Sequence, residues 1–265
     1  MAIITNFINV GLPKPGKDMF LVAIPYLASG AQGNELECAV AGWLRHFKER
    51  FRLVIIGDWT PIVDSYPEID FLECPRIKDV PGEYLPALDI IRKMQFLHEN
   101  YPESDGCIWA ADDIYAVNDF DFADVRFLKM LPTSMKFALD DANPWKRMMA
   151  RTAKLLKEEG LPTRNFAVHL PCWYEWIKLD AIIGKYNLRD RSLSVQSLYF
   201  NTYFAGRLPF ALNKESDNIK YGIYSHYPSV KEIEQAFRTK IWLNNSVTGY
   251  DGVLMKMLAD HYKED

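Results

Sequence analysis

Three short apolar runs limit what this chain can become: Phe20–Tyr26 (FLVAIPY), Arg52–Gly57 (RLVIIG) and Gly106–Ala111 (GCIWAA). Continuous runs of this length, without polar alternation, mark strands covered on both faces. Ile69–Cys74 (IDFLEC) reads as a further strand. Between them the spacing turns helical. After the first run, Asn34 stands as N-cap with Glu37 in capping-box position, and Leu36, Val40, Trp43, Leu44 and Phe47 recur at helical intervals. Leu88, Ile91, Gln95 and His98 share one face, which predicts a helix over Tyr84–Glu99. Strands alternating with helices in this way predict an α/β fold: a three-layer α/β/α sandwich with a mainly parallel central sheet.

The second half is richer in helices and is expected to wrap the sheet. Asn143-Pro144 opens a helix as N-cap and first helical residue, and Gly160 closes it. Residues 174–186 and 193–205 are further helices, and Leu208–Leu212 is a strand. Ser229 with Glu232 is a second capping box. Residues 11–18 (GLPKPGKD) read as a loop. No repeat or linker interrupts the chain, so one domain over residues 1–265 is expected, with halves at about 19–142 and 143–265.

Composition excludes some functions. The net charge of −4 comes without a basic stripe, which argues against a nucleic-acid binder. Cys38, Cys74, Cys107 and Cys172 show no CxxC pairing and are expected to be buried, reduced thiols. The opening MAIITNFINVGLPKPGKD lacks the basic and apolar regions of a signal peptide, and no run approaches the ~18 apolar residues of a membrane span. A cytoplasmic protein without a transmembrane segment is the expectation.

Ligands of open α/β sheets bind at the carboxyl ends of the strands. There the chain places Pro25-Tyr26 and the turn Ser29–Gly33 leading to Glu35, then Gly57-Asp58, then Asp112-Asp113. Gly30 and Gly33, just before a helix, suit either an ordinary turn with positive φ or backbone N–H groups that hold a diphosphate. Asp58 suits either a turn or a hydrogen bond to a base or ribose. Asp112 and Asp113 repel one another unless a cation or donors balance them, and hard divalent ions take such oxygen ligands.

Taken together, IPY–SGAQGNE, VIIGD and WAADDIYAVNDF resemble the nucleotide half of GT-A glycosyltransferases. RNFAVHLPCWYEW and SLYFNTYFAG resemble segments of bacterial and phage glycosyltransferase-like proteins and of Stealth-type capsule sugar-phosphate transferases. The resemblance spans roughly residues 20–205. It implies a GT-A-like fold and a role in polysaccharide biosynthesis: transfer of a sugar from a nucleotide-diphosphate sugar to a glycan or other acceptor, assisted by Mn²⁺ or Mg²⁺. Residues 19–142 would then bind the donor and 143–265 the acceptor.

Residue by residue, the resemblance implies that Asp112 and Asp113 hold the metal in the place of a DxD motif, whose first acidic slot is Ala111 here. His226 is expected to reach the metal from the C-terminal side. Pro25, Tyr26 and Asp58 would lie near the base, Gly33 and Lys93 near the diphosphate, although Lys93 also suits a solvated helix face. His169 opens a His-Leu-Pro segment that proline stiffens, and would position the acceptor, move a proton or bind phosphate. Asn201 lies in the SLYxN-like piece. Asp141, beside Asp140, suits by position either the base that an inverting enzyme needs or the turn before the Asn143 cap. Trp173, Tyr174 and Trp176 suit either sugar rings or core packing. Two other readings stay open: a sugar-phosphate transferase, and a nucleotide- or carbohydrate-binding protein of the same fold without activity.

Overall fold

The computed structural model describes residues 19–66, 68–78, 80–224 and 226–263. The loop expected at 11–18 lies outside them. The first half runs β1 (Phe20–Tyr26), α1 (Glu35–His46), β2 (Phe51–Gly57), α2 (Ile62–Ser65), β3 (Ile69–Glu73), α3 (Leu85–Asn100), β4 (Gly106–Trp109), β5 (Ile114–Ala116), α4 (Phe122–Arg126) and β6 (Lys129–Met130). The second runs α5 (Pro144–Glu158), β7 (Cys172–Glu175), α6 (Trp176–Tyr186), α7 (Val195–Tyr203), β8 (Phe210–Ala211), β9 (Lys220–Ile223), α8 (Val230–Thr239), β10 (Trp242–Asn245) and α9 (Gly252–Lys263).

The central sheet has five strands in the order β3-β2-β1-β4-β7. The first four are parallel, and β7 closes the edge antiparallel to β4. The apolar runs give these strands their place: Val22, Ala23, Ile24, Val54, Ile55 and Ile56 are fully buried. From β1 the chain crosses through α1 to β2 on one side, and from β3 through α3 to β4 on the other side of β1. With right-handed crossovers, these helices lie on opposite faces of the sheet. This is the expected mixed α/β architecture with a mainly parallel sheet.

A second sheet, β5-β10-β9, is antiparallel between β5 and β10 and parallel between β10 and β9. It brings the end of the chain back to the strand that follows Asp113. Trp43 of α1 and Trp242 of β10 are buried together with Phe120, which joins the two sheets through one aromatic cluster. β6 and β8 form a small parallel pair.

Several local expectations hold. Asn143 caps α5 by accepting from Trp145 N, Ser229 and Glu232 form a reciprocal capping box on α8, and Gly160 has φ 70° after α5. The cysteines are free and buried. Others change. Asn34 makes no side-chain cap on α1; its Oδ1 accepts instead from the Tyr250 hydroxyl. Tyr174 and Glu175, the first residues of the helix expected over 174–186, belong instead to β7, because pairing with β4 outweighs a local helical pattern. Among the described residues, no helix is long and apolar enough to cross a membrane.

Candidate functional site

The order β3-β2-β1-β4 sets the carboxyl ends of β1, β2 and β4 side by side. Tyr26 shows the convergence: burial raises its phenol pKa, and the nearby charges of Glu37, Asp112 and Asp58 raise it further. Asp58 is held inward, where its Oδ2 accepts from Ala28 N at 2.9 Å and its own amide donates to Tyr26 O. It therefore fastens the loop after β1 to the end of β2.

The glycine turn is not an open phosphate cradle. Gly30 N and Ala31 N donate to Leu27 O, Glu35 N donates to Gln32 O, and Gln32 N donates to Glu35 Oε2 at 2.8 Å. The Glu35 carboxylate thus folds back on the turn that precedes α1. Gly33 has φ 49°, and a Cβ there would lie 2.9 Å from Met255 Sδ and 3.2 Å from the Tyr250 ring. The glycine is needed for its backbone conformation and for the close approach of the C-terminal segment.

Glu35 is buried at 4% exposure, and its Oε1 accepts from Asn245 Nδ2 at 2.7 Å. Asn245 Oδ1 in turn accepts from the Tyr115 hydroxyl at 2.7 Å. Burial raises the Glu35 pKa against these hydrogen bonds, and the charge of Asp113 raises it further. Asp112 is pushed up to about 7, first by burial, then by Asp113 and Glu35; its own amide and Lys93 act the other way. Lys93 is not a solvated lysine. It is 3% exposed on α3 and paired with Asp89 at 2.9 Å, so it acts on Asp112 as a buried charge rather than as an open ligand.

His169 faces Asp113. The imidazole Nε2 lies 3.1 Å from Asp113 Oδ1, yet that oxygen makes no hydrogen bond, so the two are close without being aligned. On the other side of the ring, Nδ1 is 3.1 Å from Asn244 Nδ2. With the Asn244 amide turned so that Oδ1 accepts from Nδ1–H, the ring proton sits on Nδ1 and Nε2 presents its lone pair beside Asp113. His169 itself has φ 51°, a left-handed conformation found more often for histidine than for most residues. Proline stiffness acts on Leu170, the residue before Pro171, and not on His169 as the sequence reading had it. What fixes His169 is its backbone conformation, Asn244, and the approach to it: Asn201, fully buried, bonds both the N–H and the C=O of Arg164.

Lys220 and Tyr224 complete the surround. Lys220 Nζ donates to Val168 O at 2.5 Å, and burial lowers its pKa to about 7 against the pull of Asp113 and Asp217. The Tyr224 hydroxyl shares hydrogen bonds with Asn244. Lys220, Tyr224, Asn244 and Asn245 carried no site signal in the sequence. They lie on β9, just after it and on β10, and only the second sheet brings them to Asp113.

Five candidate residues are engaged elsewhere. His226 Nε2 is 3.3 Å from Glu232 Oε1 at the start of α8, and the histidine beside Asp113 is His169. Asp141 Oδ1 accepts from Asn143 N at 2.9 Å and Arg147 donates to its carbonyl, which makes it part of the turn into α5. Trp176 stacks on His98 with its Nε1 donating to Ser104, and Tyr174 is buried against Tyr199, so both pack the core. Trp173 packs edge-on against Phe20 and Phe122.

The residues at Asp113 fit a divalent cation. A buried carboxylate oxygen without a hydrogen bond stands 3.1 Å from an imidazole nitrogen. Two ligands at right angles, each about 2.1 Å from one ion, lie about 3.0 Å apart. Among the described residues, no three His, Cys, Asp or Glu side chains group around one point, so the chain alone does not form a closed cage. Open coordination of this kind leaves positions for substrate phosphate and water.

Burial of the Asp112 charge has a measurable consequence. In an unfolded chain this carboxyl ionises near 3.8, in the fold at about 7. The folded state thus binds more protons between these values, and stability falls as pH rises through that window. With chelator present, Asp112→Asn is expected to raise stability by on the order of 2 kcal/mol at pH 8. It is expected to bring no gain near pH 4. Thermal melts at the two pH values check this; an equal effect at both removes the buried charge as its cause.

No family model matches the sequence, and no curated protein matches it. Solved structures do align with the chain. The apo bifunctional glycosyltransferase WbbM aligns with a TM-score of 0.51 and 9% identity, over 97% of this chain and 51% of that one. A glycosyltransferase involved in glycosylation of the major capsid of PBCV-1 aligns at 0.43 and 8%, over 94% of this chain and 100% of that one. The apo-form glycosyltransferase GlyE of Streptococcus pneumoniae TIGR4 aligns at 0.36 and 12%, over 94% and 61%. The chain spans about half the length of WbbM. At 9% identity the likeness to WbbM is one of fold alone: this chain has a GT-A-like fold.

Proposed function

We propose that this chain transfers a sugar from a nucleotide-diphosphate sugar to a glycan or other acceptor, at the carboxyl ends of β1, β2 and β4. The observation that carries the reading is Asp113, whose buried oxygen makes no hydrogen bond and faces His169 in a glycosyltransferase fold. Asp113 and His169 would hold the cation, Mn²⁺ or Mg²⁺, with Asp112 beside them. When bound, the cation supplies positive charge against the leaving diphosphate.

The chain's own groups have distinct tasks in this proposal. Tyr26, Pro25 and Asp58 frame the end where the base would lie. Lys220 adds a second positive charge when protonated, and such preorganised charge favours the transition state. Asn244 fixes the His169 ring, and the second sheet holds Asn244. Glu35 stays tied to Gln32 and Asn245 and, when ionised, makes the pocket more negative, which strengthens the demand for a cation.

Calorimetry with UDP, GDP and CMP, each with and without Mn²⁺, tests the reading. Binding of a nucleotide that strengthens at least tenfold with Mn²⁺ is expected; no binding under any condition sinks the enzyme. Product analysis separates the sugar-phosphate alternative, because phosphorus retained in the product would rule out simple glycosyl transfer.

His169→Asn provides a second test, since asparagine tolerates the left-handed backbone that His169 adopts. Transfer is expected to fall about 100-fold. Nucleotide binding in Mn²⁺ should weaken while binding without metal stays unchanged. Equal loss with and without metal would place His169 against the nucleotide itself.

A further inference from the structure

A cavity of about 140 Å³ lies beside the His169 segment, with Val168, Leu170 and Pro171 in its wall. It is separate from the carboxylate cluster around Asp113. Its charge is opposite in sign. Arg126, Lys129, Lys178 and Arg207 line it, against the single carboxylate of Glu175. Glu175 is already neutralised, because its Oε1 accepts from Lys178 Nζ at 2.6 Å. A concentration of positive charge is notable in a chain whose net charge is −4.

Lys129 is the distinctive member. It is 8% exposed and has no carboxylate within ion-pair distance among the described residues. Its ammonium donates to the carbonyls of Asp124 and Phe127, the latter at 2.9 Å. An ammonium has three N–H donors, so one remains for a ligand. A buried cation without a counter-ion is costly, and an anion bound beside it offsets that cost. The remaining wall is apolar and aromatic, with Trp173, Phe200 and Phe204. A cavity of roughly 150 Å³ takes a single six-membered ring such as benzene. Few convergent polar groups in an apolar wall is the usual form of a small-ligand site.

We propose that this cavity is the acceptor subsite, and that the acceptor sugar it takes carries an anionic group, carboxylate or phosphate, which pairs with Lys129 and the arginines. This rests on the glycosyl-transfer reading for the word acceptor; the anionic-sugar site itself stands on the cavity. The chain links the two sites directly, since Val168 and Leu170 in the cavity wall flank His169. A concave pocket with a buried lysine in its wall suits a single ring better than a flat lipid surface, even though Phe127, Leu208 and Phe210 are exposed nearby.

Binding is measured directly on the full chain with p-nitrophenyl β-D-glucuronide, glucose 6-phosphate and, as the neutral control, p-nitrophenyl β-D-glucoside. At least one anionic sugar is expected to bind ten or more times tighter than the glucoside, and which one does so identifies carboxylate or phosphate. Lys129→Gln should remove that preference. Because Lys129 also holds two carbonyls, Arg126→Gln/Arg207→Gln, in which both side chains are exposed, is the companion variant and should weaken the preference with an unchanged melting curve. Equal binding of charged and neutral sugars, or a preference that survives both variants, overturns the proposal. Co-sedimentation with phosphatidylglycerol vesicles without binding of any sugar also overturns it. Nucleotide calorimetry on the same sample keeps the two readings apart: nucleotide binding without anionic-sugar preference removes only the acceptor site, and the reverse removes only the transferase.

Discussion

Asp113→Asn is expected to lower metal-dependent sugar transfer about 1000-fold while leaving the melting temperature within about 2 °C of the parent. The two halves of this expectation come from the same atom. Asp113 Oδ1 makes no hydrogen bond, so the fold does not depend on it. An asparagine of the same shape keeps the turn after β4 and loses the charge that a cation needs. Loss of metal charge stabilisation at a diphosphate amounts to several kcal/mol. Donor titrations of the variant should give the same affinity with and without Mn²⁺. Steady-state transfer assays and thermal melts check both halves. A variant that unfolds makes Asp113 structural; one that keeps full activity makes it idle, and His169 with it.

β1 and β2 were legible because each is a run of mostly buried apolar residues that needs no context. β1 matches its run residue for residue, and β2 begins one residue earlier than read, at Phe51. The parallel ends then followed from topology rules, and with them the convergence of Tyr26, Asp58 and Asp112. β10 was illegible for the opposite reason. Its sequence WLNN carries two fully buried asparagines, whose partners are Glu35 and Tyr115 for one and His169 and Tyr224 for the other. A polar strand of this kind is stable only once those partners are in place. Asn34 failed as a cap through the same long-range competition, since Tyr250 claims its oxygen. His169 was picked out by its position before Leu-Pro, but the left-handed backbone and Asn244, rather than proline, hold it. The histidine near the acidic pair was thus readable, and the reason for its pose was not.

Gly57→Ala is expected to cost about 4 kcal/mol or more, combining backbone strain with overpacking. Gly57 ends β2 with φ 149°, and a Cβ there would lie 1.9 Å from Tyr26 O, a backbone atom of the neighbouring strand that no side-chain rotation can clear. The same carbonyl accepts from Asp58 N, and Gly57 O accepts from Cys74 N. Relief of the clash therefore moves the end of β2 relative to both its neighbours. Gly82→Ala is the matched control: φ is 81°, but nothing lies within 4 Å of the added carbon. It should lose only about 1–2 kcal/mol of left-handed strain. Urea titrations of the two variants separate strain from collision. If both lose the same amount, the close approach at Tyr26 is relaxed at little cost. If Gly57→Ala loses several times more, β1 and β2 are locked at the point where Asp58 leaves the sheet. That lock would then set the position of Tyr26 and Asp58 at the donor end of the site.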